Sequence, residues 1–194
     1  MAIVEIKYAE IGICGLSCRL CPHYNMKTES RCPGCKSDSR IKVGCPFITC
    51  AIKRKRIEFC WDCAESEICE KWKNHRKAGK NVDSFKCYQK LEDDIAYINK
   101  KGVNKFEKIQ KKRESLLKEL LTEFNEGRSK SYYCIAATVL EIEDLELVLA
   151  EAKQKSIGLD VKGKSRYLHF ILDDIARQKN YFLKLRKNVK NENK

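Results

Sequence analysis

The chain has 194 residues, enough for one compact domain or two small ones, and its 43% hydrophobic fraction is adequate for a core. No window of the sequence approaches a transmembrane span, which argues against a helical membrane protein. The 40 basic and 27 acidic side chains give a formal net charge of +13, which permits a nucleic-acid partner without identifying one.

The N-terminal residues carry no apolar segment of the length that a signal peptide requires, so we expect a cytoplasmic protein with no membrane contact. Thiols stay reduced in that compartment, where closely spaced cysteines are more often metal ligands than disulfides. Residues 3–13 alternate in polarity and predict one short strand or an extended lead-in. No alternation of strands and helices follows, which argues against a doubly wound sheet or a barrel.

The segment between residues 14 and 69 contains ten of the twelve cysteines. Apolar residues are sparse from 14 to 80, and segments without enough apolar area are usually held together by metal or disulfides. A two-residue gap between cysteines lets a tight turn direct both sulfurs at one metal. We therefore predict a metal-thiolate module whose ligands are Cys14, Cys18, Cys21, Cys32, Cys35, Cys45, Cys50, Cys60, Cys63 and Cys69.

The spacing leaves the identity of the metal open. Proline and glycine between Cys32 and Cys35 shape a zinc knuckle, which favours zinc at two sites. Three Cys-Pro steps also suit [4Fe–4S] clusters, although no contiguous ferredoxin run is present. The expected partition groups Cys14, Cys18, Cys21 and one of Cys32 and Cys35 at one centre, and Cys60, Cys63, Cys69 and Cys45 or Cys50 at the other.

Several other residues near the cysteines have ordinary interpretations. We expect His23 and His75 to be solvated loop histidines, because sulfur ligands are already in surplus. The basic run at residues 53–56 resembles a phosphate-binding or nuclear-localisation patch, but four consecutive charges are more often a solvated face. Trp61 and Trp72 are expected to pack.

A basic, glycine-containing stretch at residues 74–83 predicts the boundary between a cysteine-rich module (1–80) and a small helical domain (81–190). The predicted fold class is mainly α, with an irregular cysteine-rich metal-binding N-terminal module and little β. Helical apolar spacing predicts helices at residues 87–100, 104–126, 131–140, 143–155 and 165–178, a strand-like tail at 181–187, and disorder at 188–194.

Local signals in the helical part are more specific. Gly102 is placed to end the first helix in the left-handed conformation, and residues 104–107 match a capping box for the second. Cys87 and Cys134 are expected to be small buried residues. The stretch 127–134 is suited to line a cleft or face an anion.

The acidic residues of the helical part do not indicate a catalytic pair. Glu92, Asp93, Asp94, Asp173 and Asp174 are expected at exposed helix positions. The sequence also contains no Ser-His-Asp order and no phosphate-cradling loop.

The Cys-Gly-Leu opening at Cys14, the Cys32–Cys35 knuckle and the Cys60–Cys63 pair together resemble the prokaryotic family known as domain of unknown function 3795. Residues 129–134 and 183–187 resemble the helical tail of its longer members. The resemblance implies a small protein that binds zinc or an iron–sulfur cluster, and it implies no reaction or substrate.

Three functions remain open at this stage. A zinc-thiolate protein would act as a structural or interaction module for an unknown protein partner, and closed four-thiolate sites would leave no coordination position for an enzyme. An iron–sulfur protein would transfer electrons or perform cluster-dependent chemistry. A nucleic-acid-binding zinc protein would use the basic surface, although no specific recognition motif is present.

Overall fold

The computed structural model describes residues 4–187. In that range the protein has eight α-helices and no β-strand, which confirms the mainly α fold class with a cysteine-rich N-terminal region. A π-helix at Thr49–Lys55 and a 3₁₀ turn at Cys60–Asp62 interrupt the cysteine-rich part. The α-helices are α1 (Asp38–Val43), α2 (Pro46–Ile48), α3 (Glu70–Gly79), α4 (Leu91–Lys101), α5 (Val103–Glu123), α6 (Lys130–Val139), α7 (Ile142–Lys155) and α8 (Val161–Gln178).

The N-terminal segment is an extended lead-in rather than a strand within the described residues. Its one β-bridge pairs Ile11 with Ser17, so this segment folds back on itself and does not join a sheet. Ile11 and Ile13 are buried, and the Ile13 carbonyl accepts a hydrogen bond of 3.0 Å from the Cys60 backbone N–H. The lead-in thus fixes the start of the cysteine run against the later Cys60 turn.

Helix α3 was not predicted, because its ten residues are mostly charged. Its Trp72 is 3% exposed and packs with Leu16, Leu91 and Ile95. Burial of this one large ring therefore holds a helix whose sequence shows little apolar periodicity.

The main core surrounds α5, which packs against α4, α6 and α7, while α7 packs against α8. Its central side chains are almost fully buried. They include Leu117, Leu120, Tyr133, Leu168 and Leu172. The amphipathic spacing that predicted α5 to α8 accordingly places their apolar faces around one core.

The cysteine-rich segment packs directly on the helices. Ile11 and Phe59 form a buried cluster with Ile98 of α4 and Phe106 of α5. Arg19, close to the first cysteines, makes an ion pair with α5 at 2.6 Å. The two parts share buried contacts, and the division at residue 80 stays a prediction.

Several helix ends differ from the predicted ones. Helix α8 begins at Val161 rather than residue 165, and α5 ends at Glu123 rather than residue 126. Helix α4 begins at Leu91 rather than residue 87, and Gly102 has φ 84° with ψ 154°, which is outside the left-handed helical region. The capping box at residues 104–107 is not formed, because α5 begins at Val103 and the Asn104 side chain accepts a hydrogen bond from the Tyr8 hydroxyl. The hydrogen bond between Asn104 and Tyr8 thus takes the place of the predicted helix cap.

The tail at residues 181–187 is not a strand. Leu183 is buried against the main core, and Arg186 pairs with Asp83 through two contacts of 3.0 Å. Asp83 also accepts the Tyr88 backbone N–H at 2.6 Å. The alternation that predicted a strand instead reflects side chains anchored to two different parts of the fold. The predicted disorder at residues 188–194 lies outside the described residues.

Candidate metal centre

Four cysteines from separate elements line one cavity of about 70 Å³. Cys50 lies on the π-helix, Cys60 on the 3₁₀ turn, Cys63 directly after that turn, and Cys69 immediately before α3. The Cys63 backbone N–H donates to the Cys60 carbonyl at 3.3 Å, which closes the two-residue turn. We call these four residues the distal cysteine group.

The thiols of the distal cysteine group lie close enough to affect each other's ionisation. Burial, together with negative charge on Cys14, Cys50 and Cys69, raises the pKa of Cys60 to about 12. The thiolate form is therefore unfavourable here unless a cation compensates it. Metal ions provide that compensation when they bind thiolates.

A second set of cysteines lies nearer the helices. Cys14, Cys35 and Cys45 line a cavity of about 220 Å³, and the Cys18 sulfur accepts the Cys35 backbone N–H at 3.3 Å. We call these four residues the proximal cysteine group. Hydrogen bonding from the Cys35 thiol lowers the pKa of Cys18 despite burial, and the charge of Lys86 acts in the same direction.

Lys86 is the charged residue that the sequence analysis missed. It is 5% exposed, and its ammonium group lies 3.5 Å from the Ser17 carbonyl. Burial opposes its charge, but nearby Cys18, Cys35 and Cys14 raise the pKa of Lys86 above its ordinary value. One more lysine in a chain of 40 basic residues carries no signal in the sequence; only the fold places it at the thiols.

Three predicted ligands line neither cavity: Cys18, which is joined to Cys35, and Cys21 and Cys32. Cys21 is buried, and its backbone N–H donates to the Cys18 carbonyl at 2.9 Å. Cys32 lies on a loop, where its backbone N–H donates to the His23 carbonyl at 3.0 Å. Within residues 4–187, no three His, Cys, Asp or Glu side chains are close enough together to hold a metal ion. The groups are thus cavity-lining sets and not assembled ligand shells.

The expectation of a solvated loop histidine is wrong for His75. This residue lies in α3, with its ring 4.8 Å from Phe47, 5.8 Å from Trp72 and 5.3 Å from Tyr88. Burial lowers the pKa of His75, and its Nε2 atom has no hydrogen-bond partner among the described residues. The neutral ring forms part of the wall of the 220 Å³ cavity.

The stretch 127–134 contributes Ser131 and Cys134 to the wall of a small cavity of about 10 Å³, which Lys86 and Cys87 also line. Ser129 is 3% exposed, and its hydroxyl lies 2.8 Å from Nε2 of His169 in α8. Tyr133 is fully buried and bonds to the Ser165 hydroxyl at 2.9 Å. These contacts fasten α6 to α8. Cys134 is 1% exposed, as expected for a small buried residue.

The basic run lies on the surface at the end of the π-helix. Lys53, Arg54 and Arg56 are exposed, while Lys55 pairs with Glu65 at 2.5 Å. The described residues show a solvated face here, and the nucleic-acid alternative stays a prediction.

Residues 10–74 match the model of a family described as a protein of unknown function, DUF3795. This confirms the resemblance for the cysteine-rich segment, which is about a third of the chain. No curated protein and no solved structure matches the sequence. Among the described residues, no helix combines the length and apolar character needed to cross a membrane.

Proposed function

We propose that the protein binds zinc through thiolates and acts as a structural or interaction module. The cysteine-rich segment that matches the DUF3795 family model is the premise of this proposal. The observation that carries the proposal is the distal cysteine group. Its four thiols come from three separate elements and line one small cavity, and four is the ligand number of a structural zinc site.

The physical need for a metal follows from the packing of this segment. The buried clusters next to the distal group are small; one consists of Ile13, Ile48 and Ala51. Structural zinc supplies on the order of 10 kcal/mol at neutral pH, and that binding energy becomes folding energy. The π-helix and the 3₁₀ turn would then be held in place by the ion they surround.

The proximal cysteine group is the second proposed zinc site. Zinc held by four thiolates carries a net charge of −2, and burial of that charge needs compensation. The ammonium group of Lys86, which is 5% exposed beside these thiols, supplies one positive charge. Cys18, Cys21 and Cys32 line neither cavity, but the Cys18 sulfur accepts a hydrogen bond from Cys35. Cys21 and Cys32 are therefore the weaker ligand candidates.

Metal analysis of separate variants tests the proposal. We expect about two zinc ions per chain, one for each set of four thiolates. The double variant Cys60→Ser/Cys63→Ser should lose about half of the zinc, whereas Cys134→Ala, a buried cysteine of α6, should keep it all. Equal zinc content in both variants, or a wild-type protein that chelator neither strips nor destabilises, would contradict the proposal.

An iron–sulfur protein is the second candidate, and one observation favours it. The 220 Å³ cavity has three cysteines in its wall and far more space than a single ion occupies. A cluster held there would serve electron transfer or cluster-dependent chemistry. Protein purified without oxygen decides between the candidates: brown colour with iron and labile sulfide supports a cluster, and colourless protein with zinc supports the first proposal.

A further inference from the structure

A cavity of about 320 Å³ lies between α4, α5 and the start of α7, apart from both cysteine groups. Its wall includes Asp94 and Tyr97 of α4 and Phe106 and Gln110 of α5. The volume lies in the range of small-molecule sites, which combine apolar walls with a few polar groups. Sequence reasoning expected Asp94 at an exposed position; it is instead part-buried, because α5 and α7 close over that face of α4.

The positive charges in the wall are already engaged. Lys90 lies 2.9 Å from Asp93 and 3.7 Å from Glu141. Arg113 donates to two backbone carbonyl oxygens at the end of α6 and lies 3.6 Å from Glu141. Both charges favour the ionised form of Asp94, but neither cation makes an ion pair with that carboxylate.

One part-buried carboxylate in the same wall has no direct partner. Asp94 makes no ion pair or side-chain hydrogen bond with any described residue, whereas Glu143 is exposed to solvent. Burial raises the pKa of Asp94 to about 7 even though the charges of Arg113 and Lys90 oppose that shift. The cavity therefore has a surplus of hydrogen-bond acceptors and negative charge.

Gln110 supplies an independent observation. This residue is 3% exposed, lines the cavity, and has an Oε1 atom with no hydrogen-bond partner among the described residues. An unpaired buried carbonyl destabilises the fold, so it normally persists only where another molecule supplies a donor. Asp94 and Gln110 thus both need a hydrogen-bond donor.

The other residues of the wall indicate which class of molecule would supply the hydrogen-bond donor. Tyr97 and Phe106 add aromatic surface, which suits a hydrocarbon chain and attracts a cation to the ring faces. A bare metal ion would leave this aromatic surface unused. An organic cation has both the donors and the apolar part.

We propose that this cavity is a binding site for a small organic amine, with the ammonium group donating to Asp94 and Gln110 and the carbon chain lying on Tyr97 and Phe106. The site is independent of the metal centres and of the function proposed for them.

Titration of the metal-loaded, full-length protein with n-butylamine tests the proposal, with 1-butanol and butyrate as probes of the same carbon chain. Backbone amide chemical shifts, measured at pH 8 where Asp94 is mostly ionised, locate the binding. We expect saturable shifts in α4 and α5 for the amine, and weaker or no shifts for the other two. Asp94→Asn should weaken amine binding at least tenfold, while the exposed Asp38→Asn in α1 should leave it unchanged.

Three results would overturn the proposal. One is the absence of saturable shifts at roughly 10 mM amine, beyond the weak end of small-ligand affinity. Another is equal binding of butyrate or butanol. The third is amine binding that Asp94→Asn leaves intact. Because the wild-type titration locates the site by itself, a variant that failed to fold would still leave the proposal testable.

Discussion

Replacement of Asp94 by asparagine should make the protein more stable at neutral and alkaline pH. The substitution keeps the shape of the side chain and removes its charge. In the fold, burial raises the pKa of this carboxyl from 3.8 to about 7. The folded state therefore prefers the protonated form, and ionisation of Asp94 lowers the free energy of unfolding.

The magnitude follows from linkage. A carboxyl with a folded pKa of about 7 and an unfolded pKa of 3.8 loses at most about 4 kcal/mol of stability as it ionises. Asp94 retains some contact with solvent, so we expect about half of that upper limit. The loss is absent below pH 3.8, grows as pH rises, and is complete above pH 7. Asp94→Asn should thus gain about 2 kcal/mol at pH 8 and well under 1 kcal/mol at pH 4.

Urea unfolding followed by far-ultraviolet circular dichroism, on metal-loaded protein at pH 5, 6, 7 and 8, measures this difference. The exposed Asp38→Asn variant is the matched control and should follow the wild type. A stability difference between Asp94→Asn and wild type that does not grow with pH would refute the electrostatic reasoning. A variant less stable than wild type at pH 8 would show that the ionised carboxylate has a partner within the fold.

Two further substitutions test the helical core. Burial lowers the pKa of His169, so the folded state resists its protonation and the free energy of unfolding should fall as pH drops through 6.5. His169→Gln should therefore reduce the change in the urea-unfolding midpoint between pH 7 and pH 5. An unchanged pH dependence of that midpoint would exclude His169 as its cause. Leu117 is fully buried, so Leu117→Ala should lower the free energy of unfolding by about 3 kcal/mol, whereas Leu147→Ala, at a residue 70% exposed, should have almost no effect. Equal effects of the two leucine variants would contradict the assigned core.

The helices α5 to α8 could be predicted because their apolar residues recur at helical spacing and each buries one face. Helix α3 could not, since a single ring, Trp72, holds it through contacts with α4 and the first cysteines. The prediction of a strand at residues 181–187 was wrong for a related reason. Its alternating residues serve a core contact and a salt bridge to Asp83 more than 90 positions away, which local patterns do not reveal.

Some features of the candidate metal centre could likewise be predicted from the sequence, and others could not. The Cys60–Cys63 pair was predictable because a two-residue turn fixes its geometry locally. Whether Cys45 or Cys50 completes the distal group depends on the path of the π-helix, and the sequence left both open. The charge of Lys86 at the proximal group and the aromatic surroundings of His75 arise from contacts between distant segments, so they carry no spacing signal.

A sequence that specifies one fold satisfies its buried polar groups, and departures from that rule concentrate where function needs them. Here two of the four buried side-chain atoms without a partner among the described residues, the Ser17 hydroxyl and the Gln110 carbonyl, belong to residues that line one cavity of about 20 Å³. The wall of that cavity also includes Lys86 on the cysteine side and Asp94 on the helical side. These unpartnered groups thus lie where the cysteine-rich segment packs on the helices, which is the part of the fold that local sequence patterns specify least.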